Sequence, residues 1–133
     1  MFRDERNHSS PLAQAPIQAL GTHILLELEH CPQPLLLDKK RLESALVESA
    51  EQAGASVVES VFHQFNPHGL SGVVVIAESH ITAHTWPEYD YAAIDIFTCG
   101  DPDIAQRIQD EIKRRFSPAT CSAKTIMRGP SVH

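Results

Sequence analysis

The stretch GVVVIAESHITAHTWPEYDYAAIDIF, residues 72–97, decides the fold of this chain. Three short runs within it, GVVVIA, SHITAHTW and AAIDIF, are apolar or alternating and rich in β-branched residues, which predicts three strands in succession. Pro87 and the segment 88–90 separate the last two runs and predict a turn. Strands that follow one another without a helix between them favour a mainly antiparallel sheet.

Two amphipathic helices are predicted on either side of this stretch. Asp38 is a suitable N-cap for the first, and Gly54 is a natural stop. Asp101 followed by Pro102 predicts the start of the second. The first helix would bury Leu42, Ala45, Leu46, Ser49, Ala50 and Ala53, and the second Ile104, Ile108, Ile112 and Phe116.

Three further strands are predicted at 22–30, at 55–65 and, with weaker alternation, at 119–127. The order strand, helix, several strands, helix, strand predicts an α+β domain, a mainly antiparallel sheet with two helices on one face. The other face of such a sheet needs a cover. We therefore expect a homodimer in which two sheets face each other as an αββα sandwich.

Length and composition limit the classes of protein that fit. The chain of 133 residues is long enough for a single domain, predicted over 20–133, and 42% hydrophobic with 21% charged residues is typical of a soluble globular protein. No apolar run approaches the ~20 residues of a membrane span. The net charge of −6 argues against a nucleic-acid partner.

The first 19 residues carry two prolines and no apolar periodicity, which predicts a flexible N-terminal arm. They lack the apolar block of a secretory signal, so we expect a cytoplasmic protein. Cys31, Cys99 and Cys121 are odd in number and far apart, which argues against a disulfide framework.

Reactive side chains are crowded around the predicted strand 79–86. Glu78 and Ser79 fall where the preceding apolar strand stops, and an isolated Glu-Ser pair is ordinarily only a polar turn. His80 and His84 share one face at a period of two and, with Cys99, could bind zinc. The tight ligand spacings of zinc sites are missing, however, and we predict no metal.

Four other residues have both an ordinary and a functional interpretation. Cys99 follows the last predicted apolar strand of this stretch. It could be an ordinary buried free thiol or a reactive thiol at the strand end. Trp86 and Glu88 flank Pro87 and could form only a simple turn. They could also form an aromatic surface beside a carboxylate, and such a surface suits a ligand with a planar base and a sugar. Ser71 is part of a Ser-Gly pair that is common in turns.

Taken together, these residues resemble the prokaryotic S-adenosylmethionine decarboxylase proenzyme family. The resemblance covers roughly 21–116 and is densest in GLSGVVVIAESHITAHTWPEYDYAAIDIFTCG. It is carried by one ordered set of residues, namely Ser71, Glu78, Ser79, His84, Trp86, Pro87, Glu88 and Cys99. The loop FNPHG departs from the family at Asn66 and His68, next to the expected substrate pocket.

The resemblance implies that the protein makes its own cofactor. Decarboxylation of an amino acid needs a carbonyl that forms a Schiff base and withdraws electrons, and no side chain provides one. By analogy, Ser79 attacks the carbonyl of Glu78, and the chain is cleaved into 1–78 and 79–133. The second chain then starts with a pyruvoyl group derived from Ser79.

The resemblance also implies roles for the other residues. His84 would be the proton acceptor of processing, assisted by Ser71, because imidazole can take a proton near neutral pH. Cys99 would be the proton donor of decarboxylation. In the substrate site, Phe65 would stack on adenine with His84 on the opposite side, and Glu88 would bind the ribose hydroxyls. Trp86 would also contribute to substrate binding. This site would be assembled across a dimer, with S-adenosylmethionine as substrate and decarboxylated aminopropyl donor for spermidine synthesis as product.

Two alternatives remain open at this point. The same pyruvoyl chemistry could act on arginine or ornithine, because the cofactor needs only an α-amino acid and the pocket chooses the side chain. A protein of a different class, a non-catalytic paralogue or a metal-binding module using His80, His84 and Cys99, would not need to keep the serine, histidine and thiol together.

Overall fold

The computed structural model describes residues 19–77 and 79–130. It contains six strands and three α-helices, with a 3₁₀ turn at Pro87–Tyr89. The strands are β1 (Gly21–Glu29), β2 (Val57–Gln64), β3 (Leu70–Ile76), β4 (Ser79–Trp86), β5 (Tyr91–Thr98) and β6 (Thr120–Arg128). The helices are α1 (Pro34–Leu37), α2 (Lys39–Gln52) and α3 (Pro102–Phe116). The predicted arm, residues 1–19, lies outside the described residues except for its last position.

All six strands belong to one sheet in the order β2-β3-β4-β5-β1-β6. Every pair of neighbouring strands is antiparallel. The predicted α+β fold with a mainly antiparallel sheet is therefore confirmed. The stretch 72–97 supplies most of β3 and β5 and all of β4, which places β4 in the interior of the sheet.

One face of the sheet forms the core with the two longer helices. Strand residues alternate, so that Ile24, Leu26 and Leu28 of β1 are buried while Glu27 and Glu29 are exposed. The predicted stripe of α3 is confirmed, since Ile108, Ile112 and Phe116 are buried and the partly buried Ile104 packs against the same core cluster. The core cluster also contains Leu42, Leu46, Ala50, Val74, Ile76, Ile81, Ala83, Ile94, Ile96, Ile108, Ile112 and Phe116.

Both predicted helix starts are confirmed by their caps. The Asp38 carboxylate accepts from the backbone N–H groups of Lys40 and Arg41 at 3.0 and 3.2 Å. The Asp101 carboxylate accepts from the N–H of Asp103 at 2.8 Å. Each bond satisfies a donor that has no partner within its own helix.

The short helix α1 was not predicted. It has only four residues and begins on a proline, which is too short for any apolar period to appear. Leu36 within it is fully buried, and its carbonyl accepts from the Thr85 hydroxyl at 2.9 Å. The same hydroxyl accepts from Leu70 N–H at 3.0 Å, so Thr85 fixes the ends of β3 and β4 against α1.

The opposite face of the sheet carries exposed apolar side chains. Val61, Val75, Trp86 and Ile126 lie there, between 38% and 56% exposed. No α-helix of the described residues packs over this face. The predicted dimer, in which a second sheet covers it, stays a prediction. Over 19–77 and 79–130, no helix has the length and apolar character to span a bilayer.

Candidate active site

Ser71 and His84 meet at one end of the β3–β4 pair. The antiparallel register places them directly opposite each other, and the Ser71 Oγ lies 2.8 Å from the His84 Nδ1. This hydrogen bond is exposed on the face that the helices leave bare. An imidazole held by a hydroxyl in this way keeps its other ring nitrogen free for proton transfer.

A cavity of about 230 Å³ opens beside this pair. Five residues singled out from the sequence lie around it: Phe65, Ser71, His84, Trp86 and Glu88. His68, Gly69, Leu70 and Thr85 complete the lining. The cavity therefore combines aromatic rings, an imidazole and a carboxylate, which suits an aromatic heterocycle joined to a polyhydroxylated group.

The loop between β2 and β3 presents Phe65 to this cavity. The Phe65 N–H donates to the Gly69 carbonyl at 2.9 Å and closes the loop. Gly69 has a φ of +106°, and a Cβ there would lie 3.3 Å from the carbonyl oxygen of Thr85. Phe65 is 47% exposed and packs at its edge against His63, with ring centroids 4.5 Å apart.

Glu88 is presented by the 3₁₀ turn between β4 and β5. The Gln33 side chain holds this turn by donating to the Pro87 carbonyl at 2.9 Å and to the Asp90 carboxylate. Asp90 ends the turn in the left-handed region, with a φ of +54°. The Glu88 Oε1 lies 3.2 Å from the His68 Nε2, so one carboxylate oxygen is engaged and the other is available to a ligand.

Trp86 belongs to a small aromatic stack. Its ring lies 5.2 Å from that of Tyr91 at 30° and 6.3 Å from that of His84. The Tyr91 hydroxyl donates to Glu27. Burial, that hydrogen bond and nearby carboxylates raise the pKa of Tyr91 to about 12, so it remains a donor at neutral pH. The stack fixes the indole plane next to the cavity.

Ser79 lies at the opposite end of β4. As its first residue, Ser79 pairs with Ile76 of β3 and Thr98 of β5. The backbone N–H of Cys99 donates to the Ser79 Oγ at 3.4 Å. A second cavity of about 200 Å³ is lined here by Gly54, Ala55, Ser56, Ile76, Ala77, Ser79, Thr98, Gly100, Asp101 and Ile104. Glu78 lies outside the described residues.

The two groups of side chains are separated within one chain. Ser79 and His84 are five residues apart on the same continuous strand. At ~3.3 Å per residue this spacing is about 16 Å, and an odd spacing puts the two side chains on opposite faces. The structure therefore unites Phe65, Ser71, His84, Trp86 and Glu88 in one cavity, but not Ser79 or Cys99.

The thiols of the chain differ in their surroundings. Cys99 is exposed at the end of β5, beside Ser79. Cys31 is buried, and burial, followed by the nearby Asp90 and Cys121, raises its pKa to about 11. Cys31 is thus an inert thiol, whereas Cys99 has the access that proton transfer to a ligand requires.

Among the described residues, neither a metal-ligand group nor the larger groove between the helices forms part of the predicted site. Within the part of the chain that the structure describes, no three His, Cys, Asp or Glu residues are grouped as metal ligands would be. A larger groove of about 630 Å³ lies between the helices and contains none of the predicted site residues. Its charged side chains belong to α2, to the N-cap of α2 and to α3, namely Asp38, Lys40, Arg41, Glu48 and Arg115.

The fold and the two groups of side chains describe a small α+β protein with a serine at the start of a central strand and a separate cavity whose lining suits an aromatic ligand. The chain matches the model of the S-adenosylmethionine decarboxylase family over residues 22–129. This chain belongs to that family, as the residues of the central stretch predict.

Bacterial relatives agree with this assignment. The S-adenosylmethionine decarboxylase proenzyme of Thermodesulfovibrio yellowstonii is 54% identical over 90 residues, 65% of this chain and 67% of the relative. That of Carboxydothermus hydrogenoformans is 46% identical over 116 residues, 87% and 91% of the two chains. The crystal structure of the adenosylmethionine decarboxylase from Aquifex aeolicus superposes with a TM-score of 0.80 at 34% identity, covering 85% of this chain and 93% of that one.

Proposed function

We propose that this chain is a self-cleaving proenzyme whose mature form decarboxylates S-adenosylmethionine. The family match over residues 22–129 carries the proposal. It is supported by Ser79 at the first position of β4, because a serine at a strand margin can reach the peptide bond before it. The alternative of a metal-binding module has no support in the grouping of the described residues.

The cleavage uses the chain's own atoms. The Ser79 Oγ adds to the carbonyl carbon of residue 78, and the C–N bond breaks to leave an ester. Loss of the Cα proton of residue 79 then forms a double bond to Cβ and breaks the bond between Cβ and Oγ, which releases chain 1–78 as a carboxylate. The remaining dehydroalanine takes up water and loses ammonia, which leaves a pyruvoyl group on chain 79–133.

The surroundings of Ser79 fit this conversion. The Cys99 N–H donates to the Ser79 Oγ in the intact chain. The adjoining cavity of about 200 Å³ has room for a small planar group. A pyruvoyl group supplies a carbonyl that binds the substrate amine and accepts the electron pair left by carbon dioxide. Cys99, exposed beside residue 79, is the proposed donor that protonates the substrate α-carbon.

The distance along β4 supports a site shared between two copies of the chain. At a separation of about 16 Å, His84 cannot take a proton from Ser79 of the same chain. We infer a homodimer in which the Ser79 end of one chain meets the cavity around His84 of the other. Burial of the exposed apolar residues on the bare sheet face would stabilise such a homodimer.

The lining of the cavity of about 230 Å³ beside His84 favours a nucleoside over a small amino acid. Phe65 and Trp86 offer aromatic faces for adenine, and Glu88 offers a carboxylate oxygen to ribose hydroxyls. Arginine or ornithine would use the carboxylate but would leave both rings without a partner. We therefore propose S-adenosylmethionine as the substrate; the cytoplasmic location stays a prediction of the sequence.

Carbon dioxide release tests the substrate. Purified protein is supplied separately with carboxyl-labelled S-adenosylmethionine, arginine and ornithine at equal concentration. We expect release from S-adenosylmethionine alone. Release from arginine or ornithine alone would contradict the proposed substrate while leaving the cofactor chemistry intact. No release from any of the three, by protein that has been cleaved, would contradict the proposed activity.

A further inference from the structure

The hydroxyl of Thr98 is the unusual polar group near Ser79. Thr98 is only 3% exposed, and its Oγ1 has no hydrogen-bond partner among the described residues. Buried hydroxyl groups are nearly always paired, because leaving one unpaired destabilises the fold. Thr85, equally deep at 5% exposed, shows the ordinary case: it donates to the Leu36 carbonyl and accepts from the Leu70 N–H.

The position of Thr98 points to a reason for the unpaired hydroxyl. Thr98 lies directly opposite Ser79 in the register of β4 and β5, and cross-strand partners share one face of a sheet. Both residues line the same cavity of about 200 Å³. The next residue, Cys99, contributes its N–H to the Ser79 Oγ at 3.4 Å. Thr98, the last residue of β5, and Cys99, which follows it, thus offer donors beside Ser79.

We propose that the Thr98 hydroxyl stabilises the oxyanion that forms during self-cleavage, an inference that rests on the proposed function. When the Ser79 Oγ bonds to the carbonyl carbon of residue 78, the carbonyl π electrons move to its oxygen. The proton lost by Ser79 is transferred to the nitrogen of residue 79 as the C–N bond breaks. Thr98 keeps its own proton and only donates a hydrogen bond to the negative oxygen.

An unpaired donor is well suited to this role. A hydroxyl that was already bonded in the intact chain would have to break that bond before it could serve the oxyanion. A donor held unpaired by the fold forms its hydrogen bond only when negative charge develops on the oxygen. The bond therefore stabilises the transition state of cleavage without stabilising the intact chain, and it lowers the activation barrier. The destabilisation of the folded proenzyme and the acceleration of its cleavage then have one origin.

Three full-length variants test the assignment. Thr98→Val keeps the shape and removes the hydroxyl, and Thr98→Ser restores a hydroxyl. Thr22→Val makes the same change on β1, where Thr22 is the other cross-strand partner of Thr98, and serves as the matched control. Cell-free synthesis followed by intact-mass sampling gives the rate of cleavage, and thermal unfolding of each purified chain gives its Tm.

We expect Thr98→Val to cleave about 100-fold more slowly, the usual loss for one oxyanion donor, with a Tm equal to or above that of the wild type. Thr98→Ser and Thr22→Val should cleave within a few-fold of the wild type. Cleavage of Thr98→Val at the wild-type rate, with a wild type that cleaves normally, would overturn this inference alone.

The remaining outcomes are also decisive. Slow cleavage of Thr98→Val with a lowered Tm would mean that the hydroxyl has a structural partner, which overturns the role. Slow cleavage of Thr98→Ser at an unchanged Tm would equally show that the hydroxyl is not what matters. A wild-type chain that never cleaves would remove the proposed function itself, and this inference with it.

Discussion

The two ends of β4 differ in what they can do alone. The His84 end is a formed pocket with an imidazole held by Ser71, a carboxylate held by His68 and an aromatic stack. The Ser79 end has a serine hydroxyl, the N–H of Cys99 and a small cavity, and no imidazole lies among the described residues that line this cavity. One end has groups that suit ligand binding and proton transfer, whereas we propose that the other end is cleaved. The difference suggests that neither end is a complete site within a single chain.

Removal of the Ser79 hydroxyl has the largest expected effect of the changes that test this difference between the two ends of β4. Ser79→Ala should abolish both cleavage and decarboxylation, because no other group replaces the ketone precursor. The pocket at the His84 end should remain intact, so the variant should still bind S-adenosylmethionine in calorimetry. Ser122→Ala, an exposed serine of β6, is the control for serine removal from a strand. Wild-type turnover by Ser79→Ala would refute the scheme.

Co-expression of two inactive variants tests whether the ends cooperate across chains. Ser79→Ala keeps His84, and His84→Ala keeps Ser79, so a mixed dimer contains one complete site. If the site is shared, co-expression should restore cleavage of the His84→Ala chain and up to about half of the wild-type activity in each mixed dimer. Differently tagged chains separated by mass would identify which one is cut.

The control for this experiment is each variant expressed alone. We expect neither to be cleaved at an appreciable rate. Full cleavage of His84→Ala alone would show that His84 is not required, and absence of cleavage in verified mixed dimers would contradict the shared site.

Removal of the Cys99 thiol should separate self-cleavage from decarboxylation, the two reactions proposed at the Ser79 end. In Cys99→Ala the backbone N–H that contacts Ser79 is kept, so cleavage should still proceed. Turnover should fall by about 100-fold, because a positioned proton donor contributes this much or more. The matched control is Cys31→Ala, since the Cys31 thiol, with a pKa of about 11, stays protonated and takes no part. Equal loss of cleavage and turnover in Cys99→Ala would contradict the separation.

A change confined to the His84 end should have the smallest effect. Glu88→Gln removes the charge that we propose accepts from the ribose hydroxyls, and hydrogen bonds to charged groups contribute about 1.5–3 kcal/mol. We therefore expect KM for S-adenosylmethionine to rise by about 10- to 100-fold with kcat and self-cleavage nearly unchanged. A fall in kcat at constant KM would place Glu88 in the chemistry instead of in binding.

The fold was largely predictable because its signals are local. The caps Asp38 and Asp101 and the apolar stripes of α2 and α3 are readable in the sequence, and the structure confirms them. The helix α1 was missed because four residues show no period. The packing of the helices against one face followed from the alternation in the strands.

The site was only partly predictable for a physical reason. The identity of Ser79, His84 and Cys99 came from the resemblance, but contacts made by distant segments leave no periodic signal. Gln33 supports the turn of Glu88 across 54 positions of sequence. Thr98 is an ordinary strand threonine until its pairing with Ser79 and its unpaired hydroxyl are known. The separation of Ser79 from His84 follows from an odd spacing of five, provided that one unbroken strand contains both.

The central claim is that the Ser79 end of β4 is converted from a continuous backbone into a chain terminus. Intact-mass analysis of the purified wild-type protein tests it most directly. We predict two chains, residues 1–78 and residues 79–133, with the second lacking the amino nitrogen of a serine start because it begins with a pyruvoyl group. A single chain of 133 residues after prolonged incubation, or a second chain that begins with an unmodified serine, would contradict the account.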